Sequence, residues 1–153
     1  MDGRIIIYKA ERRLELWRGG DLRACFPIGL GPNSRGAKTR EGDGRTPEGA
    51  YFVCTRNRQS KYYLSLGLSY PGERDALRAL ERGLIGPEMC EYICARVREG
   101  LRPPWDTPLG GFIMIHGGGA HGDWTQGCVA LENKDMDALW ACCPLGAPVD
   151  IRP

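Results

Sequence analysis

The sequence predicts a mainly β domain with helices added to it, an α+β fold of barrel-like or sandwiched sheets. A two-helix insertion and one late helix complete it. Short apolar runs rich in β-branched residues recur along the chain, separated by glycine and proline turns. A helical period is confined to one stretch in the middle and one near the end. Residues 1–153 read as a single domain, with no internal repeat, low-complexity tract or linker.

The elements follow in order. Ile5–Tyr8 reads as a first strand, and Leu14-Glu-Leu-Trp17 alternates as a second. Gly19-Gly20 turns the chain into a third strand over residues 22–30. Residues 31–49 are rich in glycine and charge and read as a long loop. Ala50–Thr55 resumes as a strand through Tyr51, Phe52 and Val53. The period becomes helical over about 75–100. Gly86-Pro87 starts a helix there, because proline at the first helical position gives up no needed N–H. Met89, Cys90, Ile93, Cys94 and Val97 form its buried stripe. Phe112–Ile115 is a short buried strand. Asn133 is an expected N-cap for a helix with Met136, Leu139, Trp140 and Cys143 on one face. Pro148–Ile151 alternates as the last strand.

The chain has 153 residues, enough for a substantial core, with 42% hydrophobic and 26% charged residues. A net charge of +2 without a Lys/Arg block argues against nucleic acid as a partner. No apolar run is long enough to span a membrane, and the start is too short in apolar residues for a signal peptide. Export with a leader removed and a cytoplasmic location both stay open. Seven cysteines cannot all pair internally, and most are expected to be reduced core residues. Cys90 and Cys94 lie one helical turn apart without a second pair to complete a metal site, so no metal and no cofactor is expected.

The chemistry concentrates in Ile115-His-Gly-Gly-Gly-Ala-His-Gly-Asp-Trp-Thr-Gln-Gly-Cys-Val129. A rigid strand ends at His116, and a glycine-freed loop returns the chain to Cys128. The arrangement sets an imidazole beside a thiol. A free thiol is only a few per cent ionised at neutral pH, and a histidine within reach takes its proton to give an ion pair and a strong nucleophile. Both residues being plain core is the bland alternative, and the glycines packed around them argue against it. Gly127 permits a sharp turn before the nucleophile, so backbone N–H groups near Gln126–Cys128 are candidate oxyanion donors. His121 reads as an exposed loop residue, with substrate contact or zinc ligation beside His116 and Cys128 as rarer options. Trp124 either packs the loop or walls the substrate.

These residues carry a resemblance. Ile115-His116-Gly117 with Thr125-Gln-Gly-Cys-Val129 resembles the signature of the L,D-transpeptidase catalytic domain, the YkuD-type fold. Gly42-Asp-Gly-Arg-Thr-Pro-Glu-Gly-Ala-Tyr51, Leu109-Gly-Gly-Phe-Ile113 and Gly146-Ala-Pro-Val149 are similar to further segments of that family, in the same order. The resemblance implies Cys128 as nucleophile, His116 as base and a backbone carbonyl, that of Gly117, orienting the ring. It implies peptidoglycan stem peptides as substrate, acyl transfer through a thioester, and a place in the cell envelope or outside the cell. Two positions depart from the common pattern. Gln126 stands where many members have histidine, and Ala130 where many have arginine, so substrate details do not carry over.

Arg45, inside a matched segment, is the best placed of Lys38, Arg40 and Arg45 to meet a substrate carboxylate. Tyr62, Trp124, Thr125 and His121 complete the expected substrate-binding set, and Asp43 is a candidate for tying the long loop. Arg56, Asn57, Ser60, Tyr62 and Tyr63 form a polar, aromatic strand-edge patch that suits a peptide, although such patches more often serve structure. The insertion is placed to act as a lid. Three alternatives remain: hydrolysis at the same site as an L,D-carboxypeptidase or amide hydrolase, a cell-wall-binding module without catalysis, and an intracellular thiol enzyme or redox sensor.

Overall fold

The structure, a computed structural model, describes residues 2–153. Eight strands form one mixed sheet. β1 (Gly3–Tyr8), β2 (Arg13–Arg18) and β3 (Asp21–Pro27) are an antiparallel meander. Its second turn is at Gly19-Gly20, both at positive φ. β4 (Gly49–Ser60) and β5 (Tyr63–Leu68) form a long hairpin, and β6 (Met114–His116) and β7 (Val129–Ala130) follow. The terminal strand β8 (Pro148–Arg152) lies between β1 and β4, parallel to the first and antiparallel to the second. The order is β3-β2-β1-β8-β4-β5-β6-β7.

The two edges of this sheet meet. Gly29, just past β3, exchanges both backbone hydrogen bonds with Ala130 of β7, each at 2.9 Å. The sheet is thereby curled on itself, which agrees with the barrel-like expectation. Alternation along the strands fills the inside. Ile5, Ile7, Leu14, Leu16, Val53, Leu66, Ile115, Val129, Val149 and Ile151 are all buried there.

Three helices cover the sheet. α1 (Glu73–Glu81) and α2 (Pro87–Arg98) pack on each other and make up the insertion. Pro87 sits at the start of α2, as its sequence predicts, and Cys90, Ile93 and Cys94 form its buried side. α3 (Asn133–Cys142) packs on β5 and buries Met136 and Leu139.

Three features depart from the sequence pattern or add to it. β5 is a strand that the sequence pattern did not announce. Its residues from Ser65 to Leu68 are buried on both faces, so no polar alternation marks it. Gly67 within it is required by close approach, since a Cβ there would lie 2.0 Å from Thr55 Oγ1. The cap of α3 is Glu132 rather than Asn133, because the Asn133 carboxamide is engaged by another loop. The polar patch on β4 and β5 is largely structural. Arg56 lies 3.9 Å above the Trp140 ring and donates to the carbonyls of Trp140 and Cys143, while Tyr63 donates to Asp137.

Candidate active site

β6 and β7 are parallel neighbours, with Ile115 opposite Val129 and His116 opposite Ala130. Ile115 and Val129 turn into the core with no exposure. Strand alternation then places His116, Met114, Ala130 and Cys128 on the other face. Cys128 directly precedes β7 and stands two positions from the residue opposite His116, on the same face.

The imidazole is held on several sides. Nδ1 lies 2.7 Å from the Gly117 carbonyl oxygen. A carbonyl can only accept, so Nδ1 carries the proton and Nε2 is left as the basic nitrogen. Tyr62 stacks on the ring with centroids 4.6 Å apart, and Trp124 meets it edge-on at 5.5 Å. Trp124 in turn donates from Nε1 to the Gly119 carbonyl. Gly117 must be glycine, since a Cβ would sit 2.4 Å from Asn133 Oδ1 and 2.8 Å from the Tyr62 carbonyl.

The thiol is half-buried at the floor of a cleft of about 650 Å³ lined by Lys38, Gly42, Gly44, Phe112, Gln126 and Cys128, among others. Sγ accepts from the Met114 N–H at 3.4 Å and donates to the Phe112 carbonyl at 3.3 Å. Burial raises the pKa of Cys128, with the Met114 N–H and the charge of Lys38 pulling partly the other way. Burial lowers the pKa of His116, against the bond to Gly117. Both shifts favour the uncharged forms. Burial thus works against the ion pair expected from the sequence.

The segment before the nucleophile is tightly tied. Thr125 Oγ1 donates to the Cys128 carbonyl at 2.7 Å and accepts from the Gly127 N–H at 3.2 Å. Thr46 Oγ1 donates to the Gly127 carbonyl at 2.7 Å. Gly127 has a φ of 128°, and a Cβ on it would lie 2.7 Å from the Arg45 carbonyl oxygen. Gly127→Ala is expected to cost about 1–3 kcal/mol through backbone strain. It should also lower turnover by roughly 10², since the nucleophile is displaced. A thermal melt and steady-state kinetics check the two effects.

The remaining expected residues separate. Thr125 positions the loop, and Tyr62 and Trp124 wall the imidazole. Arg45 is drawn away from the cleft lining; its guanidinium runs toward Gly36, with Nε buried and unpartnered among the described residues. The cation that lines the cleft is Lys38, paired with Asp43 at 3.0 Å. Asp43 ties the loop by accepting from the N–H groups of Thr39, Arg40 and Arg45. Burial alone would raise its pKa, and these bonds with Lys38 hold it below the usual carboxylate range. His121 is exposed and folds back over Gly119. The Gly127 N–H, an expected oxyanion donor, is turned to Thr125 instead.

Other supports were not foreseen. Arg12 grips Asp123 through two bonds, at 2.7 and 3.0 Å, and Asp123 also accepts from the Leu30 N–H. Asn133 Oδ1 and Glu132 Oε1 accept from the N–H groups of Gly118 and Ala120. Phe112, at a φ of 56° and 60% exposed, leans its ring on Trp105 while its carbonyl faces the thiol. Nothing in the local sequence distinguishes Arg12 or Glu132 from solvated charges.

The model of the L,D-transpeptidase catalytic domain (YkuD) matches residues 2–151. The chain belongs to this family. No curated protein matches the sequence. Similar solved structures share the fold. The helical cell shape determining protein Pgp2 of Campylobacter jejuni is 20% identical at a TM-score of 0.65, covering 98% of this chain and 47% of that one. Bd1075 of Bdellovibrio bacteriovorus is 22% identical at 0.59, covering 98% and 47%. An L,D-transpeptidase of Xylanimonas cellulosilytica is 16% identical at 0.58, covering 98% and 60%. The chain thus spans about half the length of the first two. At such identities they speak for a common YkuD fold and leave the reaction to the site.

Proposed function

We propose that this YkuD domain is a cysteine acyltransferase acting on peptidoglycan stem peptides, an L,D-transpeptidase. The observation that carries the reading is the thiol of Cys128 at the cleft floor, on the same sheet face as a histidine whose free nitrogen is set by Gly117. Cys128 Sγ attacks the carbonyl of the residue preceding a D-amino acid while His116 Nε2 takes its proton. The tetrahedral oxyanion is met by the N–H of Cys128 together with that of Gln126. Its collapse forms the thioester, and the proton passes from His116 to the departing amine of the D-residue. An acceptor amine then attacks the thioester carbonyl, His116 takes the amine proton, and the thiol is restored.

Tyr62 and Trp124 keep the imidazole in position, and Thr125 and Gly127 fix the loop that presents the thiol. Neither Arg45 nor His121 has a part in these steps. No helix among the described residues is long and apolar enough to cross a membrane, and the substrate places the reaction at the cell envelope.

A tetrapeptide stem incubated with an amine acceptor tests the reading. The wild type should release the terminal D-residue and form a cross-linked product, and Cys128→Ala should do neither. Tripeptide without cross-link would assign hydrolysis, with water in place of the amine. Equal product from both proteins would remove Cys128 from the reaction.

A further inference from the structure

The long loop and the insertion meet beside the catalytic cleft. A second, smaller pocket of about 170 Å³ lies between them, lined by Lys38, Arg40, Asp75, Arg78, Arg82 and Leu84, among others. Lys38 borders both this pocket and the cleft that holds Cys128, so the two spaces adjoin. Arg78 on α1 and Arg82 at its C-cap lie four residues apart, and Arg40 joins them in the lining from the loop. Among the described residues no ion pair involves Arg40, Arg78 or Arg82, whereas Lys38 is held by Asp43 and by the Arg40 carbonyl. Asp75 is the acid in the lining. It accepts from the Tyr51 hydroxyl and the Gly72 N–H, so these hydrogen bonds go to groups other than the arginines. Burial pushes its pKa up, while those bonds and the charges of Arg78 and Arg74 pull it down. Three exposed arginines without an ion pair among the described residues line this small cavity, a set that suits a planar anion able to accept several N–H bonds at once.

We propose that this pocket is a carboxylate subsite, in which Arg40, Arg78 and Arg82 bind an acidic group of the peptide whose scissile bond lies over Cys128. The proposal rests on the acyl-transfer reading for the identity of the peptide. It gives the α1–α2 insertion a role in choosing the substrate rather than in covering it. The cavity holds the end of a short acidic side chain or a C-terminal carboxylate, and not a further residue.

The test is titration of a tetrapeptide stem into the Cys128→Ala protein, which binds without turning over. Three peptides are compared: both carboxyl groups free, the internal one amidated, and the C-terminal one amidated. Amidating the group that occupies the subsite should weaken binding about tenfold, as expected for a charge-assisted contact. Adding Arg78→Gln and Arg82→Gln should weaken the free-acid peptide by a similar factor and abolish the difference between acid and amide. Both arginines are exposed on a helix, so the fold should survive, and a melt confirms it. Arg35→Gln, an exposed loop charge outside the pocket, serves as the control for long-range attraction.

An equal loss for acid and amide peptides, or a loss matched by Arg35→Gln, overturns the subsite. Glutarate alone, followed through the arginine side-chain N–H signals, separates this failure from that of the reaction. Signals of Arg78 and Arg82 that move with glutarate while no stem peptide binds would retain the carboxylate pocket and remove the peptidoglycan reading. Peptide that binds and turns over regardless of the arginines would retain the reaction and remove the subsite. No response to either ligand overturns both.

Discussion

His116→Gln is expected to lower kcat/KM for acyl transfer at neutral pH by about 10²–10⁴-fold, the usual contribution of a positioned general base. The size follows from the resting state of the site. Burial holds the Cys128 thiol above its ordinary value of 9.0, so direct ionisation supplies little thiolate at pH 7. The proton must leave during attack, and His116 Nε2 is the acceptor on that face. The pH dependence carries the same signature. The pKa of His116 lies below 6.5, so the imidazole is neutral and competent as a base down to a more acidic pH than a free histidine. The wild-type profile should rise through a midpoint below 6.5 and then stay level. An ion-paired site would fall again on the alkaline side as the imidazolium lost its proton. In His116→Gln the residual rate should instead climb only beyond pH 9, where the thiol ionises unaided. Thiolate absorbance in the ultraviolet at pH 7 checks the resting state independently and should be near zero for Cys128.

Lys9→Met should produce a large loss of stability although it lies away from the site. Lys9 is 2% exposed, and its ammonium donates to the carbonyls of Gly36 and Thr46 and to Glu48 at 2.9, 2.7 and 3.0 Å. Those three acceptors all belong to the loop over 31–49, so one side chain from the end of β1 anchors the roof of the cleft. Removing it leaves two carbonyls and a partly buried carboxylate without their donor. The cost of breaking such a buried pair is about 3 kcal/mol. For a domain of this size that is a fall in melting temperature of roughly 6–12 °C. The loop should also become more open to proteolysis, and Thr46, which holds the Gly127 carbonyl, would lose its own anchor. A melt and limited proteolysis measure both effects.

Much of this architecture is written in the local sequence. The glycine pair at 19–20, proline at 87 and the helical stripe from Met89 to Val97 each act through short-range backbone rules, and the structure places elements where those rules put them. The placing of His116 at the end of β6 and of Cys128 just before β7 was readable because a strand end and a glycine loop constrain where both must go. What depends on tertiary contact was not. β5 hides because both its faces are buried, and Asn133 looks like a helix cap until the loop at Gly118 takes its carboxamide. Arg45 sits in a matched segment, yet its guanidinium turns away from the cleft, while Lys38 reaches it by pairing with Asp43. The push of Cys128 and His116 toward their uncharged forms is a consequence of burial, which no spacing of residues reports. Lys9 and Arg12 look like surface charges in sequence and become anchors only once the long loop folds over them.

The central claim is that Cys128 carries the acyl group. Intact-protein mass spectrometry after brief mixing with a tetrapeptide stem, followed by peptide mapping, addresses it most directly. An adduct of the tripeptide acyl mass is expected on Cys128, lost on treatment with hydroxylamine and absent from Cys128→Ala, with the other six cysteines unmodified. Product formation with no adduct on the wild type, or the same adduct on Cys128→Ala, would contradict it.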